Sequence, residues 1–111
     1  MNLIVLSALD TSSRDTGLEH LRRHYPDAIV LRYDFVDGNR LVRHVFGSAA
    51  PERAEAVLEH PCIGCATKFE ILPTIRRLAP QDSETTMVLG LPSTWHSATV
   101  LQMLETQLEP L

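Results

Sequence analysis

What this chain lacks already excludes several classes of protein. No run of apolar residues approaches the ~20 that a membrane-spanning helix needs, so a membrane span is excluded. There is no basic excess either. Ten Lys and Arg stand against 14 Asp and Glu, a net charge of −4 that gives the chain no global attraction for nucleic acid, and DNA is not expected as a partner. The start, Met1-Asn2-Leu3-Ile4-Val5-Leu6, has neither the basic segment nor the small-residue cleavage site of a secretory leader, which predicts a reducing, cytoplasmic setting. Only two cysteines are present, and in such a setting a structural disulfide is not expected. The rest is ordinary for a globular protein. With 111 residues, 44% apolar and 22% charged, the sequence predicts one domain over 1–111 with a single compact core.

The apolar pattern alternates between strands and helices. Leu3-Ile4-Val5-Leu6 is a short continuous run suited to a strand buried on both faces of a parallel sheet. A polar loop follows, Asp10-Thr11-Ser12-Ser13-Arg14-Asp15, and then Leu18, Leu21 and Tyr25 fall at helical spacing. His20 and His24 are four apart on that helix but off its apolar stripe, so they are read as a solvated face rather than a metal pair. Ala28–Phe35 is rich in β-branched and aromatic residues, and Asp37-Gly38 turns it back into Leu41–Phe46, a hairpin. The small and charged residues between Gly47 and Ala56 predict an exposed helix or loop, with Ala56–Glu59 a short strand beyond it. Phe69, Ile71, Leu72, Ile75 and Leu78 recur at helical spacing, with Pro73 expected to kink or restart the helix and Pro80 to end it. Thr86–Leu91 is the third apolar strand, and a last helix from Ser97 carries Ala98, Leu101, Leu104 and Leu108 on one face. Trp95 is read as a packing anchor beside it. Strands alternating with helices predict an α/β three-layer sandwich with a mainly parallel sheet, in which the runs 3–6, 29–33 and 87–91 pair in parallel.

Both cysteines lie in Glu59-His60-Pro61-Cys62-Ile63-Gly64-Cys65-Ala66-Thr67, a C-x-x-C that opens a helix. Unpaired backbone N–H groups and the positive end of the helix dipole favour a thiolate there and lower its pKa. Cys62 and Cys65 are therefore candidate metal ligands or redox thiols, with His60 close enough in sequence to join them. Two cysteines can share one ion, but a closed tetrahedral site takes four ligands, so His60, another histidine such as His44 or His96, or a second subunit must supply the remainder. The plainer alternative is two reduced, half-buried cysteines that act as small apolar residues.

The stretch Leu58–Ala79, with His60-Pro61-Cys62-Ile63-Gly64-Cys65-Ala66-Thr67 at its head, resembles the cysteine-motif segment of CobW-type proteins, P-loop GTPases associated with metal handling. Their usual motif is C-x-C-C, and members similar to those of actinobacteria often carry C-x-x-C. The resemblance implies a fold that is P-loop NTPase-like in part, equivalent to the N-terminal portion of such a protein. It also implies a link to zinc limitation and a protein partner, either ribosome-associated or a metalloprotein client. The expected metal is zinc or a similar divalent ion, held by Cys62, Cys65 and His60.

The nucleotide chemistry of that family is not expected here. Laid over the family's phosphate loop, G-x-x-x-x-G-K-[ST], the segment 8–15 has Ala8 and Ser13 for the glycines, Arg14 for the Lys and Asp15 for the hydroxyl that holds Mg²⁺. Gly90 and Leu91 likewise stand where relatives carry a Mg²⁺-binding acid. The function expected is a CobW-like metal-binding or partner-recruiting module that has lost nucleotide hydrolysis. A thioredoxin-like thiol–disulfide oxidoreductase using Cys62 and Cys65 is the alternative.

Overall fold

The computed structural model describes residues 2–60, 62–79 and 84–108, the side chains of 107 and 108 excepted. Pro61 and Pro80 of the expectations above, and the side chain of Leu108, lie outside them. Five strands form one sheet: β1 (Asn2–Leu6), β2 (Ile29–Asp37), β3 (Arg40–Gly47), β4 (Glu52–Val57) and β5 (Thr86–Gly90), in the order β1-β5-β2-β3-β4. The helices are α1 (Thr11–His24), α2 (Ile63–Ala66), α3 (Leu72–Leu78) and α4 (Ser97–Leu108), with a π-helical turn, Thr67–Ile71, joining α2 to α3. No described helix is long and apolar enough to cross a membrane.

The three apolar runs pair in parallel, as their continuous hydrophobicity predicts: β5 lies between β1 and β2, with Val5 beside Leu89 and Val30 beside Val88. The expected mainly parallel sheet is nevertheless a mixed one. β2, β3 and β4 are joined by connections too short for a crossover, so they pair antiparallel. The stretch expected to be an exposed helix or loop supplies most of β4, and of the short strand expected at Ala56–Glu59 only Ala56 and Val57 belong to it. Its Glu-Arg-Ala-Glu-Ala-Val sequence has weak strand propensity, yet it alternates half-buried and exposed positions as an edge strand does.

Because strand side chains alternate between faces, the sheet divides the apolar residues into two cores. Ile4, Leu6, Val30 and Val88 meet Leu18, Leu21 and Tyr25, which fall on one stripe of α1. Leu3, Val5, Leu31, Tyr33, Met87 and Leu89 meet Ile71, Leu72, Ile75, Val100 and Leu104 on the opposite face. Among the described side chains of α4 the buried positions are Val100 and Leu104, while Ala98, expected on the apolar face, is exposed. α1 comes close to β5 because Gly90 has no side chain, and a Cβ there would lie 2.8 Å from Leu18 Cδ1. Trp95 packs as an anchor, edge-on to Phe35 with ring centroids 5.7 Å apart.

The helix after the cysteines departs from simple periodicity. Ile71, Leu72 and Ile75 are buried as expected, but Phe69, placed on the same stripe, is 67% exposed. Pro73, near the start of α3, cannot donate to the carbonyl four residues back. In the π turn just before it, Leu72 N–H reaches back to Thr67 O, five residues away. With the extra residue in place Phe69 faces outward and Ala66, Thr67 and Glu70 are buried.

Candidate functional site

Cys62 is the N-cap of α2. Its backbone is extended (φ −95°, ψ 161°), and its sulfur accepts a hydrogen bond from Cys65 N–H at 3.4 Å. That bond, with a further one from the Cys65 thiol, favours the thiolate and holds the Cys62 pKa below the ordinary thiol value. Cys65 shifts the other way: its hydrogen bond to Cys62, then burial, then the charge on Cys62 push its pKa up. Cys62 is exposed and Cys65 half-buried, so the more acidic thiol is also the more accessible one.

A cavity of about 320 Å³ opens beside Cys65, lined by Val57, Leu58, Glu59, His60, Phe69 and Glu70 among others. His60 thus borders the same space as Cys65. Yet among the described residues no three His, Cys, Asp or Glu side chains converge closely enough to hold a metal ion. His44 cannot complete the set: its neighbour Arg43 points to the face that carries α2 and α3, so His44 points to the other. There its Nδ1 is buried with no partner among the described residues, and its pKa is lowered by burial and by the charges on Arg32 and Arg53. His96 is exposed on the loop before α4, and His20 and His24 are exposed on α1, as their place off the stripe predicts.

Beneath the thiol helix lies a polar network that the sequence reading missed. Glu70, in the π turn, accepts from Tyr33 Oη (2.6 Å), from Arg43 Nη1 at both oxygens (2.7 and 2.9 Å) and from Thr74 Oγ1 (2.8 Å). Arg43 also donates to Glu52, which Arg77 reaches from α3 at 2.6 Å. Burial and the Glu70 carboxylate push the Tyr33 phenol far above its ordinary pKa. On Arg43, attraction to Glu70 and Glu52 outweighs the burial that opposes its charge. The available signal was a Tyr and an Arg at inward positions of adjacent strands, which need a buried acid.

The segment laid over the phosphate-loop pattern, expected to be a polar loop over Asp10–Asp15, is helical from Thr11 onward and is filled by its own side chains. Asp10 caps α1, accepting from Ser13 N–H at 2.7 Å and Ser13 Oγ at 3.1 Å. Arg14 is 1% exposed. Its Nη1 donates to Asp34 (2.7 Å) and to the Tyr33 and Leu91 carbonyls (2.9 and 3.0 Å), and its Nη2 and Nε donate to Asp15 (2.8 and 3.1 Å). Burial opposes the charge on Arg14, but its bonds to Asp34 and Asp15 outweigh that and raise its pKa. The loop after β5 closes over the same end, with Thr94, at a left-handed φ of 73°, donating to Ala8 O. Comparison of the chain with protein-family models, with curated proteins and with solved structures gives no match.

Proposed function

We propose that the chain is a CobW-like metal-binding or partner-recruiting module related to zinc homeostasis, in which Cys62 and Cys65 take a soft divalent ion and nucleotide hydrolysis has been lost. The observation that carries the reading is the thiol pair itself: an exposed Cys62 sulfur at a helix N-cap, hydrogen-bonded to Cys65 on the same turn. Two sulfurs so placed suit zinc in chemistry but supply only two of the four donors of a closed site. His60, water or a protein partner, ribosome-associated or a metalloprotein client, supplies the others. The absence of hydrolysis rests on Asp10 and Arg14. A carboxylate lies at the helix start where a phosphate would sit, and the guanidinium in the place of the phosphate-loop lysine has its donors committed to Asp15, Asp34 and two carbonyls.

The exposed Cys62 sulfur at a helix N-cap with Cys65 one turn on also fits a second reading, a thioredoxin-like thiol–disulfide oxidoreductase. In it the Cys62 thiolate attacks one sulfur of a substrate disulfide and expels the other as a thiolate. Cys65 then loses its proton and attacks the Cys62 sulfur, leaving a Cys62–Cys65 disulfide and two substrate thiols. One experiment separates the two. Under the metal reading, Zn²⁺ raises the melting temperature of the reduced wild type, the effect weakens as pH falls and the thiols regain protons, and Cys62→Ser/Cys65→Ser abolishes it. An equal response in the double variant would place the metal elsewhere. No response in either, together with a reversible Cys62–Cys65 disulfide, would favour the oxidoreductase.

A further inference from the structure

β4 ends the sheet. It pairs with β3 on one side, and among the described residues no strand lies on the other. In an antiparallel ladder, alternate residues address alternate neighbours with both N–H and C=O. Leu58 N–H bonds to Asn39 O at 2.8 Å, continuing the β3–β4 register, and this sets the phase. Glu52, Ala54 and Ala56 turn their backbone groups to β3, while Arg53, Glu55 and Val57 turn theirs to the open side. Such a row is a template for another strand.

We propose that this edge is a self-pairing surface. β4 of a second copy joins it antiparallel, with Ala54 of each chain facing Ala54 of the other across a two-fold axis, so that two five-stranded sheets become one.

Charge complementarity selects both a second copy and this register. With Ala54 on the axis, Arg53 faces Glu55 of the second copy and Glu55 faces its Arg53, both at positions whose backbone groups point across the seam. Pro51 and Val57 face each other at the two ends, and Pro51, with no N–H to donate, ends the ladder. Sliding either way to the next register that keeps the same backbone groups in use puts Arg53 on Arg53 or Glu55 on Glu55, and like charges directly opposite destabilise a strand pair. The pairing also gives the exposed groups of the edge their partners. Within one chain Arg53 and Glu55 form a long ion pair, 3.9 Å, between side chains 58% and 40% exposed, and Val57 is 69% exposed. On the other face the seam carries Glu52 opposite Ala56 and Ala54 opposite Ala54, with Glu52 already held by Arg43 and Arg77. The seam uses neither cysteine, though Val57 at its end also borders the cavity beside Cys65.

Sedimentation of the full chain across a concentration series tests it. The wild type should show a monomer–dimer equilibrium. Arg53→Glu, which sets Glu against Glu55 twice, should weaken the dimer by about tenfold or more, and adding Glu55→Arg should restore it. Hydrogen exchange on the wild type gives a measure that needs no variant to fold: the amides of Arg53, Glu55 and Val57 should slow as concentration rises, and those of Ala54 and Ala56 should not. A wild type monomeric throughout, an Arg53→Glu variant that dimerises as well as wild type, a charge-swapped double variant that stays monomeric, or edge amides indifferent to concentration would each overturn the proposal.

Discussion

α1 and α2 both follow a loop at the end of a strand, and in each the residue before the helix caps a free amide with its own side chain: Asp10 takes Ser13 N–H, and Cys62 takes Cys65 N–H. At α1 the capping atom is a carboxylate, and its bonds to Ser13 hold its pKa below the ordinary aspartate value, so it is charged throughout the neutral range. Arg14, one turn on, ties the same helix to the middle of β2 and to the residue just after β5. At α2 the cap is a sulfur whose charge depends on pH, oxidation and whatever binds it. Two similar helix starts therefore divide the labour. The first is consumed in holding the fold together, and the second stays open to chemistry.

The largest expected effect tests that the first start is structural. Arg14→Leu leaves Asp34, Asp15 and two carbonyls without their donor. It should cost about 3 kcal/mol in urea unfolding, the low end for removing one partner of a buried ion pair, because the carboxylates keep some access to water. A loss too small to measure would mean that the clamp contributes little and that the loop is freer to accept a ligand than we argue.

A smaller effect concerns the two caps directly. Asp10→Ala should lower the melting temperature by a few degrees at neutral pH. Because the folded pKa of Asp10 is depressed, its contribution is complete above the unfolded aspartate value, about pH 4, and is lost as pH falls through the folded value. The gap between wild type and Asp10→Ala should therefore close in acid. A gap that widened there would reverse the sign of the argument.

The smallest effect on stability, and the sharpest on chemistry, lies at Cys62. Alkylation followed by mass spectrometry should label Cys62 before Cys65, with the rate inflection of Cys62 below that of a free thiol and that of Cys65 above it. After Cys62→Ser the Cys65 inflection should move down, since the neighbouring thiol that raises it is gone. Equal labelling of the two thiols in the wild type would remove the asymmetry on which the oxidoreductase reading depends.

The three parallel strands were legible because continuous apolar runs bounded by polar loops have few other uses, and α1 was legible from Leu18, Leu21 and Tyr25. β4 was not, because Ala and Glu carry little strand propensity and its place depends on pairing with β3. Pro73 announced a break in the helix but not its kind, and a period-based reading therefore put Phe69 on the apolar stripe and gave Glu70 no place, whereas the π turn exposes Phe69 and buries Glu70. At the candidate site, spacing alone identified the thiol pair and its helix start. The clamp on Arg14 was not visible, because it depends on Asp34 and the Leu91 carbonyl, which are distant in sequence and brought together only by the sheet.

An α-helix advances by roughly 100° per residue, so the extra residue in Thr67–Ile71 acts as an angular offset between the two halves of the helix it joins. The sheet fixes the phase of the second half through Ile71, Leu72 and Ile75, and the offset then sets the compass bearing of the first half. The direction in which Cys62 and Cys65 face is thus written in the turn that follows them. Deleting one residue there would swing both sulfurs by about a quarter revolution without altering either cysteine.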